Sequence, residues 1–330
     1  MQKLTRVVLA VLALAGTTAT MAQSSVTLYG RVNTTVERQK VGDVTTTGLF
    51  NNSSRFGFKG TEDLGGGLKA GFQLESGFAL DTGAGSGWTH PTTGMSFARQ
   101  SEVNLSGGFG VVRLGNFVPA SYYASADYVS MHNHDTGSSS DALYYDPVWF
   151  GGLSTKNKIG YRTPDLGGLT VDASASLHEK DPTVGQRKNG YDLGANYNLG
   201  ALALGAGYST VGDNNQFALR GLYTFGQFTV GGYYQRNDQN LLGTRNNFRL
   251  AGMYSMGASE VHLNVGRANS WSKVSDSAAT QYTVGYNYNL SKRTKVYGYY
   301  TRVNNDANAS YNSVAGKDFS SLAAGIRHNF

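Results

Sequence analysis

Cysteine is absent from the 330-residue sequence, which excludes a disulfide-stapled scaffold and any thiol nucleophile. Long apolar runs are missing too. The run from Val7 to Ala15 holds nine residues, whereas a helix needs roughly 20 to cross a bilayer. Lysines and arginines never run more than two together, so nothing resembles a nucleic-acid-binding patch. No acid, base and nucleophile share a convergent spacing that would indicate a protease or lipase. "GAGSG" at 83 to 87 lacks the strand–turn–helix setting of a nucleophile elbow. The glycine-rich turns lack the lysine and following helix of a phosphate loop. "HNHD" at 132 to 135 offers metal ligands without a rigid fourth one. No cofactor is expected. Proline is scarce, at five residues against 44 glycines and 21 tyrosines, a composition odd for a soluble exported domain.

The first 22 residues, "MQKLTRVVLAVLALAGTTATMA", place Lys3 and Arg6 ahead of the apolar run and end in small residues. This is the pattern of a secretory signal peptide over 1–22, with cleavage after Ala22 and one domain over 23–330. Losing Lys3 and Arg6 lowers the formal charge from +6 to +4. Mean hydropathy is −0.33, an average that would also fit a soluble β-sandwich binder. Averages cancel, however, wherever apolar and polar faces alternate.

Alternation is what the chain has in abundance. In "QYTVGYNYNLSKRTKVYGYYTRV", at 281 to 303, Tyr282, Val284, Tyr286, Tyr288 and Leu290 share one face of an extended strand. Gln281, Thr283, Gly285, Asn287 and Asn289 share the other. The same beat predicts strands near 25–38, 53–62, 67–78, 96–106, 109–116, 156–163, 168–178 and 189–199. It continues near 200–209, 216–225, 227–236, 245–255, 259–270, 280–290, 294–303 and 320–330. Short Gly/Asn/Asp turns, such as 62–67 and 198–201, alternate with long polar stretches, such as 39–52, 179–188, 237–244 and 304–318. The pattern specifies an all-β fold: a 16-stranded antiparallel transmembrane β-barrel with no sheet edge exposed to lipid. The tyrosines fit the girdles where hydrocarbon meets headgroup. A barrel this wide is not filled by its own side chains, so its polar face lines water.

Parity then assigns side chains to the lumen. Phe56 and Phe58 face lipid, which puts Arg55 and Lys59 inside; Val32 and Val36 do the same for Arg31. Arg220, Arg249 and Arg327 are inside by the same reasoning. Together they make the bore positive and favour anions. Parity leaves Arg99 unassigned, because it shares a face with Val103 and Leu105. The longest interruption, 117–155, carries Asp127, Asp135, Asp141 and Asp146. It reads equally as a surface loop or as one folded inward to narrow the tube. Its Tyr144, Tyr145 and Trp149 leave room for a substrate-specific channel that guides a sugar or small organic acid.

"SSVTLYGRVN", "SRFGFKGTEDLGGGLKAGFQLE" at 54 to 75, "RQSEVNLSGGFGVVRLGNFVP" at 99 to 119, "NLSKRTKVYGYY" at 289 to 300 and the ending "GIRHNF" resemble the general porins of β-proteobacterial outer membranes. The resemblance spans the whole mature chain. It implies a 16-stranded barrel with an inward-folded third loop, a homotrimer set in lipid and lipopolysaccharide, and passive diffusion of ions and small hydrophilic solutes. It implies that the terminal Phe330 is read by the outer-membrane assembly machinery. It also implies that Arg55 and Arg99 belong to an arginine cluster on the wall, faced by loop acids such as Asp127. Where relatives often read "LGR", this chain reads "LGN" and has Asn116; Arg113 is three residues earlier, on the opposite face if alternation is regular.

Overall fold

The computed structural model describes residues 25–86, 94–126, 129, 137–150 (Trp149 and Phe150 as backbone only), 156–178 and 188–330. The expected signal peptide, Asp127, Asp135 and the two histidines of "HNHD" lie outside them. Hydrogen-bonded strands follow one another antiparallel and close on themselves. In chain order they are β1 (Ser25–Val41), β2 (Val44–Asn51 continuing as Arg55–Gly65), β3 (Leu68–Phe78), β4 (Gln100–Gly107), β5 (Gly110–Asn116), β6 (Lys158–Arg162), β7 (Leu169–Ser176) and β8 (Gly190–Leu199). The second half comprises β9 (Leu202–Val211), β10 (Asn214–Phe225), β11 (Phe228–Gln239), β12 (Gly243–Met256), β13 (Ser259–Ala268), β14 (Ala279–Asn289), β15 (Thr294–Asn305) and β16 (Phe319–Asn329). A two-residue strand, Gly85–Ser86, adds to the end of β3. The ring closes where β1 pairs with β16, from Arg31 opposite Asn329 to Val41 opposite Phe319.

Why this sequence closes is visible in its exposure, which is the inverse of a globular protein. Leu28, Val36, Phe58, Leu219, Leu250, Leu263, Tyr282 and Leu322 face out. Asn33, Thr35, Gln216, Gln235, Asn247, Gln281, Thr301 and Ser321 are buried inside. Strand alternation separates the two sets, and lipid rewards only the first. Stacked rings of Tyr223, Phe225, Phe228 and Tyr254, with centroids 6.0, 5.5 and 4.6 Å apart, wrap the short turn between β10 and β11. Aromatic bodies of this kind suit the headgroup boundary.

Two expectations need correction. Residues 39–52 and 237–244 are not long loops. Val41 and Val44 close a hairpin over Gly42–Asp43, with Gly42 at φ 55°, and β11 and β12 run on to Gln239 and from Gly243. Polar threonines and asparagines simply continue the ladder beyond the hydrocarbon. Nor do all tyrosines face lipid. The Tyr297 hydroxyl donates to Asn33 at 2.6 Å and that of Tyr299 to Glu37 at 3.0 Å, both inside the barrel.

Candidate functional site

The third loop enters the barrel and is stitched to its wall. Helix α1 (Ala120–Ser125) lies on the inner faces of β8 and β9. Glycines make that possible. A Cβ at Gly194, Gly205 or Gly207 would stand 2.6, 1.8 or 2.6 Å from the carbonyl oxygens of Ala120, Ala124 and Ser121. Asp192 of β8 accepts from the Ala120 amide at 2.5 Å and also from the Ser121 amide and hydroxyl. Further along, Asp146 lies 2.9 Å from the same Ser121 hydroxyl, which shares its one proton between the two carboxylates, and accepts from that of Ser209 at 2.8 Å. Asp141 accepts from Arg249 at 2.7 Å, and the Tyr145 carbonyl accepts from Gln235 and Asn237. Gln281 donates to the Ser140 carbonyl, and Ser138 donates to Glu37 of β1.

The described loop acids therefore do not stand free across the bore from the arginines. The side chains of Asp141 and Asp146 are buried anchors, because a carboxylate taken from water needs several donors. The rings of Tyr122, Tyr144 and Tyr233 continue the seam, with centroids 5.7 and 6.0 Å apart. Burial pushes the Tyr144 hydroxyl well above its usual titration range.

A basic ladder climbs the other side of the ring. In register, Lys295 of β15 stands opposite Arg327 of β16, and Arg31 of β1 opposite Arg55 of β2. Arg327 in turn faces Asn33, and the Arg31 Nε donates to Asn329 at 2.9 Å. Lys59 lies two same-face positions along β2 from Arg55, 5.3 Å from the Tyr29 ring centroid. Arg99 joins them. It precedes the first residue of β4, so strand parity does not bind it, and its Nε reaches Glu75 at 2.8 Å. Arg55 Nε is 3.7 Å from the same carboxylate. Parity could not find Arg99; its match to the family motif did place it near Arg55. Lys295 was missed in the sequence, because "TKVYGYY" carries aromatics on both faces and hides which one is wet.

Arg113 also points inward, but into a more balanced neighbourhood. It lies 3.2 Å from Asp172 and 3.8 Å from Glu102, over the Phe117 ring. Asn116 is set apart from it: it stands opposite Ser101, on the register of outward Leu114, and its amide donates to the Ala98 carbonyl at 3.0 Å. The bond spends the amide on the backbone beside Arg99 instead of on the ladder. Arg220 is held inside by Asn196 and by the carbonyls of Leu204 and Tyr123. Phe330 zips to Gly30 through two backbone bonds of 2.9 and 3.1 Å, its ring covering the space a Cβ at Gly30 would need.

Comparison with known proteins agrees with this geometry. The family described as "Gram-negative porin" matches residues 8–308. Outer membrane porin protein 32 of Delftia acidovorans is 34% identical, covering 98% of this chain and 99% of its own. The major outer membrane protein P.IB of Neisseria meningitidis is 32% identical over 54% of this chain and 52% of its own. Among solved structures, the anion-selective porin from Comamonas acidovorans aligns with a TM-score of 0.76 at 28% identity, covering 93% of this chain and all of that one. OmpT of Vibrio cholerae, in a trimer form, aligns at 0.67 and 17% identity over 93% of this chain and 99% of its own, which speaks for the fold alone. A closed wall sorted apolar-out and polar-in, a loop docked inside it and relatives of matching length lead to one conclusion: the chain belongs to the Gram-negative porin family and forms an outer-membrane β-barrel channel.

Proposed function

We propose that the channel passes ions and small hydrophilic solutes by passive diffusion, with a mild preference for anions. One observation carries the sign of that preference: Lys295, Arg327, Arg31, Arg55, Lys59 and Arg99 share a sector of wall with the carboxylate of Glu75. In a ring of sixteen strands β1 is diametrically opposite β9, where α1 lies. Permeating solutes therefore pass between α1 and the ladder. The anion-selective relative from Comamonas acidovorans supports the same sign. Nothing in this reading calls for a cofactor or for catalysis.

Three narrower statements belong to the same proposal. The chain is exported on residues 1–22, assembles as a homotrimer, and presents Phe330 to the assembly machinery before the seam with Gly30 closes. Purified full-length protein in planar bilayers tests the channel. Stepwise conductance is expected, with a reversal potential of anion-selective sign across a potassium chloride gradient. A cation-selective sign would remove the role given to the ladder, and an absence of steps would remove the channel.

A further inference from the structure

We propose that the outer vestibule holds a binding pocket for a small organic anion with an aromatic or apolar body, centred on Arg245. The cavity, of about 560 Å³, lies between the docked third loop and the connections that follow β11, β13 and β15. Leu143, Tyr145, Trp271, Val274 and Tyr311 wall it. Arg245 is 3% exposed. Its guanidinium carbon lies 4.5 Å from the Trp271 ring centroid and 5.7 Å from that of Tyr311. Nη2 donates to the Leu143 carbonyl at 2.9 Å and to Asn237 at 3.0 Å, and Nη1 donates to the Tyr311 hydroxyl. Nε is buried with no acceptor.

Every one of those acceptors is neutral. Among the described residues no carboxylate lies within ion-pair distance of Arg245. Asp141, the acid bordering the cavity, is already held by Arg249 at 2.7 Å. The pocket is therefore left with a positive charge withdrawn from water, which favours an anionic occupant. Its walls select the rest of the ligand. Tyr145 stands edge-on to Trp271 at 6.4 Å and 88°, and with Val274 and Leu143 these rings offer a slot for a flat or apolar body. A neutral sugar would fill the volume and leave the charge unanswered. The pocket lies at the connections that follow β11, β13 and β15 and shares no residue with the ladder of Lys295, Arg327, Arg31 and Arg55.

Calorimetric titration of the full-length protein in detergent with benzoate, benzamide and maltose tests this. Benzoate is expected to saturate one site per chain, and benzamide, which keeps the ring and loses the charge, to bind at least tenfold more weakly. Arg245→Gln is expected to weaken benzoate at least tenfold, and Arg245→Lys to restore part of the loss. Failure of benzoate to saturate, equal affinity for benzamide, or displacement of benzoate by maltose would each overturn the proposal. The benzoate and benzamide comparison needs no variant, so it stands even where Arg245→Gln fails to fold. Conductance steps from the same preparation report separately on the channel.

Discussion

At the scale of residues, the lumen charges act through distance and water. A unit charge about 6 Å from a permeating ion shifts its energy by roughly 0.7 kcal/mol in water, about threefold in local concentration. Arg55 and Glu75 are a mutual test, since they lie 3.7 Å apart and carry opposite signs. Arg55→Glu is expected to lower the anion-to-cation permeability ratio by about threefold or more, because removal and reversal add. Glu75→Gln keeps an acceptor for Arg99 and is expected to raise the ratio. Reversal potentials that move together, or not at all, would show that neither group borders the narrow passage. How much of this was legible follows from local regularity. Arg31, Arg55, Lys59 and Arg327 could be read because each sits within an alternating strand with aliphatic or aromatic neighbours. Arg99 escaped parity because it lies just outside one.

At the scale of elements, alternation made the strands legible, whereas the inward fold of the loop came from the family resemblance and its anchors from neither. Strand parity is a property of consecutive residues, whereas the loop's anchors join Ser121 to Asp192 and Ser138 to Glu37 across long stretches of chain. A signal was nevertheless there. Gly194, Gly205 and Gly207 occupy lumen-facing positions of β8 and β9, where glycine weakens a strand unless another backbone comes close. Gly205 is the tightest of the three, with the Ala124 carbonyl oxygen 1.8 Å from where a Cβ would stand. Gly205→Leu is therefore expected to push α1 off the wall toward the bore axis and lower the single-channel conductance. Retained heat-modifiable migration on gels would show that the barrel itself is intact. Wild-type conductance in this variant would mean that α1 does not rest on β9. Asp192→Asn makes the complementary change. It removes the charge that accepts from the Ala120 and Ser121 amides, and noisier open-channel current is expected without loss of the barrel.

At the scale of the whole molecule, the outer surface is of two kinds. Tyr161, Tyr191, Tyr208, Tyr223, Tyr282 and Tyr300 face outward on strands from β6 to β15. On β1 to β5 the one tyrosine, Tyr29, faces in and bonds Gln73. The outer face there is aliphatic and phenylalanine-lined, with Phe72, Val103 and Leu114 adjacent in register and exposed. An amphipathic ring is useful where a wall meets headgroups and of little use against another barrel. For the homotrimer proposed above, the sector from β1 to β5 therefore suits subunit contact, and the tyrosine-bearing remainder suits lipid. Arginine placed on either surface separates the two roles. Leu250→Arg, on the lipid side, is expected to cost about 2–4 kcal/mol of barrel stability, less if the residue lies near a headgroup level, and to leave trimers intact. Val103→Arg is expected to abolish the trimer band on unheated gels while single barrels continue to conduct. Trimers that survive Val103→Arg as well as they survive Leu250→Arg would place the contact elsewhere on the ring.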